Sequence, residues 1–150
     1  MGTFNISKLH EPITTLKRYF EYSVVFKRFS DKDEKEKTME LKVFCDINKE
    51  VMVLVYDGKF LIVDIGKLEV LVSLGSSIIN EFTFVEFSQS GKYIGFGNDR
   101  GMVYCWDRKT GCIRNFFYHM NPIVFINFNF EDEGIMSYAE GEENLLINSL

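Results

Sequence analysis

Short runs of alternating apolar and polar residues, each closed by Gly, Asn, Asp or Ser, follow one another along most of this chain, and helical spacing is scarce. That pattern predicts antiparallel strands joined by tight turns. In the middle of the chain Phe82–Phe87 reads as a first strand, Ser88-Gln89-Ser90-Gly91 as a polar turn ending in glycine, and 93–97 as a second strand. Asn98-Asp99-Arg100-Gly101 then offers residue types that accept the left-handed backbone angles of a tight hairpin. Strands over Met102–Asp107 and 112–117 complete a four-stranded unit.

The pattern recurs. Apolar openings at Leu41, Phe82 and Ile123 are equally spaced along the chain. The first unit repeats the order with Val51–Tyr56, the turn Asp57-Gly58-Lys59, a strand over 60–65 and an outer strand over 68–74. The third has strands over 135–139 and 145–148 around a turn at 140–143. Val63-Asp64 and Ile147-Asn148 stand where the middle unit has Trp106-Asp107. The chain thus divides into an N-terminal extension, 1–40, and units over 41–81, 82–122 and 123–150, the last without an outer strand of its own.

A period of about 40–45 residues, four strands per period and a Trp-Asp pair ending the third strand mark the WD40 repeat. Ser-Gln-Ser-Gly-Lys at 88–92, Asn-Asp-Arg-Gly at 98–101 and Trp-Asp-Arg-Lys-Thr-Gly at 106–111 come in that order. This stretch resembles one blade of a WD40 β-propeller, and the flanking units resemble it more weakly, for about two and a half blades in all. The resemblance implies an all-β fold of four-stranded antiparallel blades in which Gly91, Gly101, Trp106 and Asp107 are structural. The family's hydrogen-bonded tetrad of Trp, Ser or Thr, His and Asp is incomplete in the middle unit. Trp106 is present, but Asp99 falls one residue early, Arg100 takes the usual Asp place, and no His precedes Phe82. A sandwich or a simple meander shows the same alternation, and that choice stays open here.

Propellers carry about 4–8 blades, so 150 residues predict an incomplete ring. An open ring exposes apolar faces and a raw strand edge. The expectation is a piece of a longer propeller, or completion by another polypeptide, in preference to cover by residues 1–40. Within that extension DKDEKEKTME at 31–40 reads as an exposed charged loop. Residues 13–29 are ambiguous: Phe20, Tyr22, Val24 and Phe26 alternate as in a strand, while Ile13, Leu16, Phe20 and Val24 keep helical spacing. Strand is favoured, and 19–26 is a candidate for the missing fourth strand of the last unit.

Fifteen Phe and seven Tyr suit a β-rich core. Cys45, Cys105 and Cys112 fall on predicted strands without CxxC spacing and read as buried free thiols. No apolar run approaches the roughly 18 residues of a membrane span, and no secretory start is evident, so a soluble intracellular protein, cytoplasmic or nuclear, is expected. The net charge of −5 is uneven: residues 115–150 hold six acidic side chains and no Lys or Arg. Direct nucleic-acid contact is not expected there, because phosphate binding is mostly cationic.

Candidate chemistry is sparse. His10 and His119 lie in different links, neither with a metal-helix partner at i+3 or i+4, and neither a phosphate loop nor a nucleophile elbow occurs. No catalytic residue, metal or cofactor is expected. The resemblance implies instead that the links between blades and the turns between second and third strands share one rim that grips other protein chains. That rim comprises Tyr56, Asp57 and Lys59; Asn98, Asp99 and Arg100; and Tyr118, His119, Met120 and Asn121. The expected role is a non-catalytic interaction scaffold in a larger assembly. The alternatives are a structural subunit completing another chain's fold in a ribonucleoprotein or cytoskeletal complex, and a ligand-binding or catalytic propeller needing residues outside this chain.

Overall fold

The computed structural model describes residues 2–5, 19–29, 36–75, 81–117 and 119–150. The protein is all-β, with three antiparallel sheets and, among the described residues, no helix. It divides into two compact units, Tyr19–Ile79 and Met1–Arg18 with Asn80–Leu150. The first strand, β1 (Gly2–Asn5), belongs with the second of these.

In Tyr19–Ile79, β2 (Tyr19–Phe29), β3 (Glu36–Asp46), β4 (Val51–Tyr56), β5 (Lys59–Asp64) and β6 (Glu69–Leu74) form a five-stranded meander in chain order. Alternation decides its core face. Phe44, Val53 and Ile62 lie opposite one another and are buried, whereas Val43, Leu54 and Leu61 share the other face and are half-buried. The predicted charged loop is a strand over 36–40, laddered against 25–29. Backbone pairing with an apolar and aromatic strand overrides the charged composition, and the boundary expected at residue 40 falls inside β3. The ambiguous stretch is strand from Tyr19 on, and 13–18 lies outside the described residues.

In the other unit, β7 (Phe82–Phe87), β8 (Tyr93–Asn98), β9 (Met102–Asp107) and β10 (Ile113–Phe117) form a four-stranded meander. A second sheet holds β11 (Ile123–Phe128), β12 (Gly134–Ala139), β13 (Asn144–Ser149) and then β1, antiparallel to β13. One expectation is corrected here: the outer strand that 123–150 does not itself supply is Gly2–Asn5 rather than 19–26, which pairs with β3.

The repeat is also a repeat of hydrogen bonds. Asp46, Ser88 and Asn129 each open a turn by accepting, through the side chain, backbone N–H groups four or five residues on: Glu50 and Val51, Tyr93, and Glu133 and Gly134. Their carbonyls accept the N–H of Lys49, Gly91 and Asp132, the residues at φ 57°, 72° and 56°. Each turn is then tied to its third strand, by Ile65 to Glu50, Arg108 to Lys92 and Leu150 to Glu133.

Register refines the alignment. Trp106 lies opposite Ile94, and Val63 stands likewise opposite Met52. Ile135, one repeat period after Ile94, faces Asn148. One extra residue in the turn at 140–143 shifts β13, so Asn148-Ser149, not Ile147-Asn148, occupies the place of Trp106-Asp107.

The two sheets of this unit stack through a core of Val103, Cys105, Ile123, Ile126, Phe128, Ile135 and Ala139. Gly95 and Gly97 present a bare backbone to it. A Cβ on Gly95 would lie 2.9 Å from Ile126 Cγ2, and one on Gly97 would lie 2.6 Å from Ile123 Cβ. A Cβ is fixed by its backbone and cannot swing aside as the far end of a long side chain can. Gly97→Ala is therefore expected to cost about 1–3 kcal/mol, more than Gly95→Ala, in urea denaturation.

Candidate functional site

The β8–β9 turn and the link from β10 to β11 meet in the unit that contains them. Asn98 is buried, and its Oδ1 accepts the N–H of Arg100 at 3.0 Å and of Met102 at 2.9 Å, folding the turn around one side chain. Gly101 follows at φ 78°, and any Cβ there would lie 2.3 Å from the His119 carbonyl oxygen. Only glycine lets the link pass. Asp99 is a turn anchor: its N–H bonds Glu81 O at 2.9 Å, and its Oδ1 accepts the Glu81 N–H at 3.3 Å.

The link is fixed from its other side by three residues. His119 Nδ1 lies 2.7 Å from Glu142 Oε2, and Nε2 lies 2.8 Å from Ser137 Oγ. Because a carboxylate only accepts, Nδ1 carries the proton. Glu142 Oε1 meanwhile accepts the backbone N–H of Met120 at 2.7 Å and of Asn121 at 3.3 Å. Burial works to raise the Glu142 carboxyl, but the hydrogen bonds from His119 and Met120, the His119 charge and the Asn121 bond outweigh it and hold the group below its ordinary value.

The order serine, histidine, carboxylate is that of a hydrolase triad. Here the serine is sealed: Ser137 is 2% exposed, on a strand position between Ile126 and Leu146 in the ladder. A nucleophile must reach its substrate, and the Ser137 hydroxyl is closed off from solvent; in this structure the three groups position the link. What they present is Met120, 89% exposed, next to the turn that bears exposed Arg100.

The sequence-derived rim residues separate into groups. Asn98, Asp99, Arg100, His119, Met120 and Asn121 come together as described, with Asn98 and His119 buried and serving the scaffold rather than its surface. Tyr118 lies outside the described residues. Tyr56, Asp57 and Lys59 belong to the other unit, where Asp57 at φ 46° and Gly58 at φ 70° make the β4–β5 turn, with Lys59 Nζ 5.8 Å from the centre of the Tyr56 ring. Gly91 takes φ 72°, and Asp107 Oδ1 accepts the Lys109 and Thr110 N–H groups. Trp106 is buried and its Nε1 has no partner among the described residues. Ser137 and Glu142 escape sequence reasoning. The available signal is a histidine just ahead of a strand opening, with a serine on the strand that follows and a carboxylate in the turn beyond it.

Two of the six C-terminal acidic groups are likewise internal. Glu142 holds the link, and Asp132 is buried with Oδ2 accepting both the backbone N–H and the hydroxyl of Ser90. Among the described residues no three His, Cys, Asp or Glu groups converge on a metal site, and no helix is long and apolar enough to cross a membrane. The thiols differ from expectation: only Cys105 is buried, Cys45 is half-buried and Cys112 is exposed. Burial, aided by Asp107 and Asp132 and opposed by Arg114, pushes the Cys105 thiol up to about 12.

In a disulfide-exchange assay Cys112 is expected to react first, Cys45 more slowly and Cys105 only on unfolding. Glu142 sets a second expectation. Its folded pKa is depressed, so its stabilising contribution is present above its ordinary value of 4.5 and is lost as pH falls through the lower folded value. Glu142→Gln should cost about 1–3 kcal/mol at pH 7, and melting curves of variant and wild type should converge as pH falls below that value. In comparisons with protein-family models and with curated proteins, nothing matches this chain.

Proposed function

We propose that this chain is a non-catalytic protein–protein interaction scaffold, a WD40-like repeat subunit of a larger intracellular assembly, which holds a partner with the turns and links at one rim. The observation that carries the reading is the clamped link: buried polar groups hold 119–121 against the Asn98–Gly101 turn while Met120 faces solvent. Such an arrangement lowers the entropy cost of binding, because the presenting backbone is ordered in advance. An arginine beside an exposed thioether is suited to anchor an interface.

The WD40 component draws support from the recurring turn bonds and from the third unit. His119, Ser137 and Glu142 supply three groups of the tetrad, with Glu for Asp and Asn148 in the Trp place. The reading includes no covalent step, since the serine bonded to His119 is sealed.

A structural subunit that buttresses another chain is the second reading. It is favoured by Met136, Tyr138 and Ile147, which alternate with core residues and lie half-buried on the face turned away from β7–β10. Affinity purification with crosslinking decides between them. Under the scaffold reading, Arg100→Glu and Met120→Glu fold normally by circular dichroism and each reduce recovery of the same partner at least about tenfold. Undiminished recovery rejects the rim. A chain that is insoluble alone and recovered only by co-expression favours the structural reading.

A further inference from the structure

We infer that the partner held at the rim is a basic protein segment, which sets an apolar side chain against Met120 while its lysine or arginine side chains meet the carboxylates around that residue. This inference rests on the scaffold reading and names the chemistry of what the rim takes.

Topology sorts the charges of the unit built from β7 to β13 between its two ends. Glu81 leads into β7, Asp99 and Arg100 lie in the β8–β9 turn, Met120 and Asn121 lead into β11, and Glu140, Glu142 and Glu143 lie in the β12–β13 turn. Because the strands run antiparallel in chain order, these positions fall at one end of the sheets. Hydrogen bonds join them there. The Asp99 N–H bonds Glu81 O at 2.9 Å, the Glu140 N–H bonds Pro122 O at 2.9 Å, and Glu142 Oε1 accepts the N–H groups of Met120 and Asn121. At this end Glu81, Glu140 and Glu143 are exposed, and none of them is ion-paired among the described residues.

The opposite end is mixed. There the Arg108 N–H bonds Lys92 O, exposed Lys109 follows, and Ser90 is tied to Asp132 between exposed Glu131 and Glu133. The excess of negative charge is therefore specific to the end that bears Met120. A strand of six residues such as β8 separates the ends by about 20 Å, more than the roughly 8 Å over which exposed charges act at physiological salt. Each end presents its own field.

Met120 supplies the contact that charge alone lacks. Its thioether is 89% exposed on a backbone already fixed by Glu142, and a flexible sulfur side chain packs against apolar groups of varied shape. Carboxylates around such an anchor speed the approach of a cationic segment and repel an acidic one. The same carboxylates disfavour a phosphate backbone. An apolar centre within a carboxylate rim thus fits a peptide that carries both an apolar and a basic side chain.

The test screens the full chain against a random peptide library displayed on phage and measures the recovered peptides by fluorescence anisotropy. Recovered sequences are expected to place lysine or arginine near an apolar residue, and their binding should weaken as sodium chloride is raised. Glu140→Lys combined with Glu143→Lys should weaken binding at least about tenfold, and Met120→Ser should weaken it as well. Glu131→Lys combined with Glu133→Lys makes the same change in net charge at the other end and should alter binding less than about twofold. Circular dichroism checks that each variant folds. Peptides that depend on Met120 but lack basic residues would keep the rim as a binding surface and overturn this inference. Equal weakening by the two charge-reversed pairs would overturn it by showing that net charge, not the rim, attracts the peptide. Binding that Met120→Ser leaves unchanged, or a screen that recovers no peptide, counts against the rim and the inference together.

Discussion

Close approach along a row of glycines governs the unit built from β7 to β13. Gly95 and Gly97 turn a bare backbone toward the second sheet, where Ile126, Ile135 and Phe128 crowd the first and Ile123 the second. Gly101 continues the row beyond the end of β8, where the His119 carbonyl takes the space of a side chain. Sheet spacing and the path of the connecting link follow from the same lack of Cβ atoms. The opposite face of β8 is filled, with Ile94 and Phe96 fully buried and Phe96 stacked on Tyr104 at a centroid distance of 5.1 Å.

Around this packing the buried polar groups answer one another. Asn98 closes a turn, Ser137 and Glu142 hold His119, and Asp132 holds Ser90 across the two sheets. Two buried polar atoms are exceptions: the Trp106 indole N–H and Asp132 Oδ1 have no partner among the described residues. Phe96 stands one repeat period before Ser137, so the middle unit has an aromatic ring where the third has a hydroxyl. The third unit makes the His119–Ser137 and His119–Glu142 bonds without a Trp, and the middle unit has a Trp without a serine at the position of Ser137. Motif strength and the completeness of the hydrogen bonding are separate properties here.

Edges are treated differently in the three sheets. The sheet of β11 to β13 is extended by β1, drawn from the far end of the chain. The five-stranded sheet ends in β2, whose long ladder with β3 continues past the point where β4 stops pairing, at Leu41 and Tyr56. Over 36–40, β3 thus has β2 as its partner strand and is spared the loop character that its charges suggest.

What the sequence determined by itself is local. Alternation at 82–87, 93–98 and 102–107 decides strand and face, and Asn, Asp and Gly at the turns decide where strands reverse, because backbone sterics act between neighbours. Tertiary structure alone decided which strand closes on β13, that the turn at 140–143 shifts the register by one residue, and that Cys112 lies open while Cys105 does not. It also decided that His119, Ser137 and Glu142 share one chain of hydrogen bonds. Alternation specifies a face but not a partner. The partner is chosen by which edges and polar groups remain unsatisfied once the sheets have packed.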